Sequence, residues 1–332
     1  MSQSGPAIAM TLLSVPLNTI TNNVIFRVFI KLTNKTMEEI LKAIREVVEK
    51  GQFINGDNVK ALEKEIAEYC GTKYAVSCNS GTDALVLSLK ALCIGRGDEV
   101  ITTPFTFIAT AEAIANVGAT PVFVDIKEDD FNIDPYLIEE KITQKTKAIM
   151  PVHLFGNLAD MEVIRTIADK YLFGIIEDAA QAFGTEGIGR GDCATISFYP
   201  SKSLGACGDG GMVITNSEEL AGRIKMLRNH GSSPTEKYLN LEIGTNSRLD
   251  EIQAAVLRVK LKNFNGGKIQ TYRFPNRDAL KQILAIQGIQ TFVYYPLPLH
   301  LQPAFKYLGY QVGDLPVAEK AAKEVLSFPI KQ

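Results

Sequence analysis

Phe173-Gly174-Ile175-Ile176-Glu177-Asp178-Ala179-Ala180-Gln181-Ala182 sets an uninterrupted non-polar run ahead of two carboxylates and a helix-forming segment. A strand without polar alternation is covered on both faces, as the strands of a parallel sheet between helices are. Ligands in such folds sit beyond the C-terminal ends of the strands, so Asp178 stands at a candidate site. The same reading extends outward. Short β-rich runs at 74–77, 99–102, 121–125, 148–153 and 174–177 alternate with helix-length segments at 83–92, 110–116, 135–142 and 161–170. Regular alternation of this kind predicts βαβ units and a mostly parallel sheet, an α/β fold.

Two helices precede the alternation. Over 37–50, Ile40, Leu41, Ile44, Val47 and Val48 fall on one face, with Gly51 as the stop; over 59–69, Leu62, Ile66 and Ala67 point inward. Beyond residue 202 the chain predicts a strand at 211–215 and helices at 218–229 and 249–259. A boundary follows near Phe264-Asn265-Gly266-Gly267. The remainder carries helices at 277–284 and 316–326 around the proline-rich Tyr295-Pro296-Leu297-Pro298-Leu299-His300. Three parts result: an N-terminal extension (1–33) with an expected strand over 24–32, a large α/β domain (34–262), and a small α+β domain (263–332).

Composition narrows the function classes. With 332 residues, 46% hydrophobic and 22% charged, the chain has the profile of a globular protein with a sizeable core. Lys+Arg 35 against Asp+Glu 37 gives a net charge of −2 without a basic run, which excludes nucleic acid as an expected partner. Cys70, Cys78, Cys93, Cys193 and Cys207 are odd in number and lack CxxC spacing, so reduced thiols in a cytoplasmic protein are expected. Residues 1–26 carry no Lys, Arg, Asp or Glu, but they lack the basic start of a secretory signal. No apolar stretch reaches the length of a membrane span. His153, His230 and His300 do not share metal-ligand spacing and read as core or rim histidines, and neither a Gly-x-Gly-x-x-Gly nor a Walker loop occurs.

The chemistry-bearing residues fall into three groups. Ser80-Gly81-Thr82 lies between a strand ending near Cys78 and the helix over 83–92. Free backbone N–H groups, a helix N-terminus and two hydroxyls there suit a phosphate. Taken alone, the tripeptide reads more readily as a plain helix cap. Asp178, buried at a strand end, needs a cationic partner or dense hydrogen bonding, and a pyridinium N–H would serve. Gln181 lies on the same helical face, within reach of a ring hydroxyl; the competing reading has Glu177 and Asp178 capping the next helix. Lys202, in Ser197-Phe198-Tyr199-Pro200-Ser201-Lys202-Ser203-Leu204-Gly205-Ala206, is a candidate Schiff-base nucleophile, ahead of the glycine-rich Gly208-Asp209-Gly210-Gly211. Ser197 would donate to phosphate. Phe107, in Pro104-Phe105-Thr106-Phe107, either stacks on a ring or packs in the core. Phosphate cradle, carboxylate and lysine, in that order, point to pyridoxal 5'-phosphate.

These segments, with Gly97–Ile101, Pro151-Val152-His153-Leu154-Phe155-Gly156, Gly244-Thr245-Asn246-Ser247-Arg248-Leu249-Asp250 and 295–303, resemble the DegT/StrS-type nucleotide-sugar aminotransferases. Those are pyridoxal-phosphate enzymes of fold type I (aspartate-aminotransferase-like). The resemblance implies that Lys202 holds the cofactor, Asp178 pairs with its ring nitrogen and Gln181 meets its ring oxygen. It also implies that Gly81, Thr82 and Ser197 hold phosphate and Phe107 stacks on the ring. A homodimer with shared sites is implied, in which Asn246 reaches the partner's phosphate while Arg248, Tyr294 and Tyr295 hold the nucleotide-sugar. Glutamate is the implied amino donor. Lysine, where some relatives carry histidine and dehydrate a sugar, implies transamination and amino-sugar synthesis for a polysaccharide or glycosylated product. Against the family pattern, Lys262-Asn263-Phe264-Asn265-Gly266-Gly267-Lys268 leads almost directly into Thr271-Tyr272-Arg273-Phe274, where members carry a long helix and further sheet. A shortened small domain is therefore expected. It leaves a second expectation open, a cofactor-binding but catalytically weak protein with a structural or regulatory role.

Overall fold

The computed structural model describes residues 34–236, 238–267 and 269–328; the strand expected over 24–32 lies outside them. Seven strands form the main sheet: β1 (Tyr74–Cys78), β2 (Glu99–Thr102), β3 (Thr120–Phe123), β4 (Thr146–Met150), β5 (Gly174–Asp178), β6 (Cys193–Ser197) and β7 (Gly211–Thr215). Their order is β1-β7-β6-β5-β4-β2-β3. The pairings β2–β3, β2–β4, β4–β5 and β5–β6 are parallel, while β7 runs antiparallel to β1 and β6 on either side. The expected mostly parallel α/β architecture is present. The antiparallel insertion and β6 itself are additions, because Cys193-Ala194-Thr195-Ile196-Ser197 is too short and mixed to stand out in sequence.

Helices cover the faces. α1 (Asn34–Lys50) and α2 (Asp57–Cys70) precede the sheet, and α3 (Gly81–Ala91) follows β1. α4 (Ala109–Asn116) and α5 (Met161–Tyr171) lie between strands; α6 (Glu218–Leu227) and α7 (Glu251–Leu261) follow β7. Leu85, Leu87 and Leu89 of α3 are buried with Val76, Val213 and Ile176 of the sheet. On another core cluster Leu62 and Ile66 of α2 meet Ile196, Ile214 and Leu257. Each such side chain contributes roughly 1.5–3 kcal/mol on burial. Buried Glu251 of α7 ties two helices together: its carboxylate accepts the N–H groups of Asn58 and Val59 at 3.0 and 2.8 Å, satisfying the open first turn of α2.

The segment 135–142, expected as one helix, instead forms two 3-10 turns, Pro135–Leu137 and Glu139–Lys141. Asp134 caps the first by accepting Tyr136 N–H at 3.1 Å, and Ile138 is buried while Tyr136 is exposed. So narrow an apolar stripe does not hold a longer helix against the sheet.

C-terminal to α7, β8 (Gln270–Arg273) pairs antiparallel with β9 (Val325–Phe328), and α8 (Arg277–Ile286) and α9 (Pro316–Glu324) accompany them. The helix expected over 316–326 therefore gives way to β9 at Val325. Asp125, just past β3, docks α9: its oxygens accept Val317 N–H and Ala318 N–H, each at 2.9 Å. Ala318, Ala321, Ala322 and Val325 then pack on Phe105, Ile126 and Phe155. Among the described residues no helix is long and apolar enough to cross a membrane. Asp125→Ala leaves two helix N–H groups without their carboxylate. It is expected to cost about 1–2 kcal/mol, read as a lower thermal midpoint in a scanning melt.

Candidate active site

The C-terminal ends of β1, β2, β4, β5 and β6 and the start of β7 share one edge of the sheet, since β7 runs the opposite way. Ser80 leaves β1 in extended conformation and caps α3, accepting Asp83 N–H on Oγ at 3.0 Å. The cap reading of Ser80 is thus correct, and its own O–H proton is still free to donate. A Cβ added to Gly81 would stand 2.7 Å from Ser197 Cβ, and one added to Gly211 would stand 2.1 Å from the Ser80 carbonyl oxygen. Only glycine allows these approaches, and they bring the start of α3 at Gly81 together with Ser197 of β6 and Gly211 of β7. Thr82, partly buried, occupies the first turn of the same helix. The first-turn amides of α3 and the Ser197 hydroxyl therefore stand side by side, an arrangement that suits an anion. Ser197 Oγ accepts Tyr199 N–H at 3.3 Å.

Asp178 ends β5, buried. Its Oδ1 accepts Ala180 N–H at 3.1 Å and its Oδ2 accepts the Thr110 hydroxyl at 2.7 Å. Gln181 is held by both ends of its amide: Oε1 accepts Phe155 N–H at 2.9 Å, and Nε2 donates to the Tyr295 hydroxyl at 3.0 Å. Burial pushes the Lys202 ammonium below the usual lysine range, and the Asp178 charge partly opposes that shift. The lysine, carboxylate and amide selected from sequence therefore lie in one neighbourhood. Phe107 keeps 52% of its surface exposed, its ring centroid 6.1 Å from that of Tyr295. It is not a core residue, which removes the packing alternative.

The remaining sequence candidates are placed differently. Tyr295 is partly buried; desolvation first and the Asp178 charge second push its phenol up, so it stays protonated. Tyr294 stacks on Phe292 with centroids 5.8 Å apart. Arg248 donates from Nη1 to Asn229 Oδ1 at 2.8 Å, and its Nε is buried without a hydrogen-bond partner. Asn246 is exposed, beside Ser247, whose hydroxyl donates to Asp83 at 2.7 Å and accepts Asn79 N–H at 3.2 Å. That segment is thereby fastened to the start of α3. His153 is a buried, satisfied histidine: Nδ1 accepts Ala159 N–H at 3.1 Å, leaving Nε2–H to donate to Glu177 at 2.8 Å. Sequence reasoning missed Thr106, Thr110 and Ala180. The i, i+4 threonines of Thr106-Phe107-Ile108-Ala109-Thr110 were the available signal, though hydroxyls at that spacing are commonplace on helices.

The DegT/DnrJ/EryC1/StrS aminotransferase family profile matches residues 34–270 and 267–332. The chain belongs to this family. A pleiotropic regulatory protein of Geobacillus stearothermophilus is 48% identical over 88% of this chain and 89% of that protein. A dTDP-3-amino-3,4,6-trideoxy-alpha-D-glucose transaminase of Streptomyces venezuelae is 43% identical over 87% and 86%. A Bacillus subtilis structure with bound cofactor PMP superposes with a TM-score of 0.83, at 34% identity over 90% of this chain and 78% of that one. Membership in the aminotransferase family fits the helix N-terminus, the carboxylate and the partly buried lysine on one sheet edge. The match meets in two pieces at 267–270, and the alignment with the Geobacillus protein spans 333 positions while using only 88% of this chain. A block of that relative thus has no counterpart here.

A lysine whose burial disfavours the ammonium form offers free amine at a pH where exposed lysines do not. Aldehyde labelling followed by borohydride reduction near neutral pH is expected to modify Lys202 ahead of surface lysines, as read by peptide mass spectrometry. Equal labelling across the surface, or labelling unchanged by Lys202→Ala, contradicts the depressed basicity.

Proposed function

We propose that this chain is a pyridoxal-phosphate-dependent aminotransferase that moves an amino group, with glutamate as donor, onto a nucleotide-linked keto-sugar. The observation that carries the reading is the partly buried, less basic Lys202 within reach of the charge of the buried Asp178 carboxylate, on the same sheet edge as Gly81, Thr82 and Ser197. The residues present suit pyridoxal phosphate. Gly81 lies so close to Ser197 that a side chain there would collide with it, which sets the start of α3 against the Ser197 hydroxyl, and the Phe107 ring is half exposed. When bound, the cofactor supplies an electron-withdrawing ring that makes the proton on the substrate's Cα removable.

Each residue then has a defined task. Gly81 and Thr82 N–H groups and the Ser197 O–H bind the phosphate. Asp178 accepts a hydrogen bond from the ring nitrogen and keeps it protonated. Gln181, held by Phe155 N–H and Tyr295, presents its remaining amide proton to the ring oxygen. Phe107 covers one ring face and excludes water. Lys202 Nζ, whose ammonium form is disfavoured by desolvation, would take a proton from or give one to the substrate's Cα in each half of the cycle. Arg248, Tyr294 and Tyr295 border the sugar side.

The shared site is completed by a second copy of the chain. Exposed Met37, Leu41 and Val48 of α1, with Phe53, Leu241 and Ile243, supply apolar surface for that contact, and exposed Asn246 reaches the partner's phosphate. Sedimentation is expected to give a dimer, and an active monomer contradicts the shared site. The short passage from Leu261 to Gln270 makes the C-terminal domain a reduced version of the family's, in line with the divided match at 267–270.

Purified protein incubated with pyridoxal phosphate and glutamate is expected to convert the visible band of the bound cofactor to the shorter-wavelength band of its amine form and release 2-oxoglutarate. Lys202→Ala is expected to lose this entirely. A panel of nucleotide-keto-sugars then identifies the acceptor. The similarity to a protein named as a regulator favours a second reading, a cofactor-binding chain with a regulatory role. Cofactor uptake without any half-reaction supports that reading against catalysis.

A further inference from the structure

Thr110 lies in the first turn of α4 and Thr106 four residues before it, both fully or nearly fully buried. A helical Ser or Thr hydroxyl ordinarily donates to the carbonyl four residues back. Elsewhere in this chain that rule holds: Ser88 Oγ donates to Ala84 O at 2.8 Å and Thr166 Oγ1 to Glu162 O at 2.9 Å. Thr110 departs from it. Its hydroxyl reaches across to a different element and donates to Asp178 Oδ2 at 2.7 Å, with Thr106 Oγ1 3.0 Å behind it. A carboxylate oxygen accepts and a hydroxyl has one proton, so Thr110 has none left for Thr106. Thr106 is therefore the donor, and the chain runs Thr106 O–H to Thr110 O–H to Asp178.

Among the described residues, the other hydrogen bonds of Asp178 come from backbone. Its Oδ1 takes Ala180 N–H at 3.1 Å, its own N–H reaches Pro151 O at 2.9 Å, and its C=O accepts His153 N–H at 3.0 Å. The main chain and one carboxylate oxygen are thus fixed by β5 and its neighbours. Thr110 is the side chain that fixes the other oxygen, and with it the plane of the carboxylate.

We infer that Thr110, aligned by Thr106, is a positioning residue that sets the carboxylate plane of Asp178 toward the cofactor's ring nitrogen. The inference rests on the cofactor reading given above. A bland alternative makes both threonines ordinary buried side chains whose methyl groups fill space. The two differ in what a hydroxyl-free isostere does.

The test uses the protein loaded with pyridoxal phosphate, comparing wild type with Thr110→Val, Thr110→Ser and Thr106→Val. Three quantities are read: the pH profile of the cofactor's visible band, the dissociation constant for the cofactor, and the thermal midpoint of the unloaded protein. Thr110→Val is expected to move the pH midpoint of the band and weaken cofactor retention roughly tenfold, the scale of one hydrogen bond to a charged group. Thr110→Ser, keeping the hydroxyl, is expected to restore the wild-type profile. Thr106→Val should shift in the same direction by less, and it carries the test if Thr110→Val does not fold. A loaded Thr110→Val protein with wild-type profile and affinity overturns the inference. So does Thr110→Ser behaving like Thr110→Val. Wild type that takes up no cofactor overturns the underlying reading and the inference with it.

Discussion

The site depends on one close approach between backbones. β7 passes antiparallel between β1 and β6, with Gly211 opposite Cys78 on one side and Ser197 on the other. At that point the chain lies so near the Ser80 carbonyl that any side chain at 211 would collide with it. The loop after β1 and the loop after β6, more than a hundred residues apart, are thereby set side by side. The helix N-terminus after Ser80 and the hydroxyl of Ser197 converge on one space, and Lys202, five residues past Ser197, is delivered to the same edge. A bulkier residue at 211 would disturb every one of these relations at once.

Charge is the second governing condition. Asp178, Glu177, Glu251 and Arg228 are all buried or nearly so, and each is satisfied by several partners. Burying an ionic group without such partners costs several kcal/mol. Glu177 takes the Gly189 and Gly191 N–H groups together with His153, which stiffens the strand end beneath Asp178. Lys202 is the instructive contrast. Burial removes solvent from its amine, and the stabilising influence on its charge comes chiefly from Asp178. Its basicity falls for that reason, which suits a group whose work is to carry a proton.

The C-terminal part reaches the site through side chains rather than through the sheet. Tyr295 grips Gln181, and Asp125 grips the start of α9. Phe264, in the short passage after α7, packs on Phe183 and on Tyr69, and Ser203 donates to the carbonyl of Gly267 in the same passage at 3.1 Å. The residue next to Lys202 is therefore tied directly to the passage between α7 and β8.

Local chemistry made much of this readable in advance. The unalternating run 173–176, the alternation of strands and helices, and the types Asp178, Gln181 and Lys202 all follow from short-range patterns, since periodicity and strand-end carboxylates are properties of adjacent residues. Ser80 was ambiguous for the same reason: capping a helix and lining a cradle need the same hydroxyl. Other features are tertiary. β6 has no pattern of its own and exists because β5 and β7 flank it. The segment 135–142 forms no continuous helix because one buried isoleucine does not anchor about two turns. Thr110 and Tyr295 acquired their partners through contacts 68 and 114 residues away in sequence. The sequence by itself determined which groups are available and the order in which strands and helices follow. The tertiary structure decided which hydroxyl holds Asp178, because hydrogen-bond geometry is set by the packing of α4 against the strand ends, and no local pattern encodes that distance.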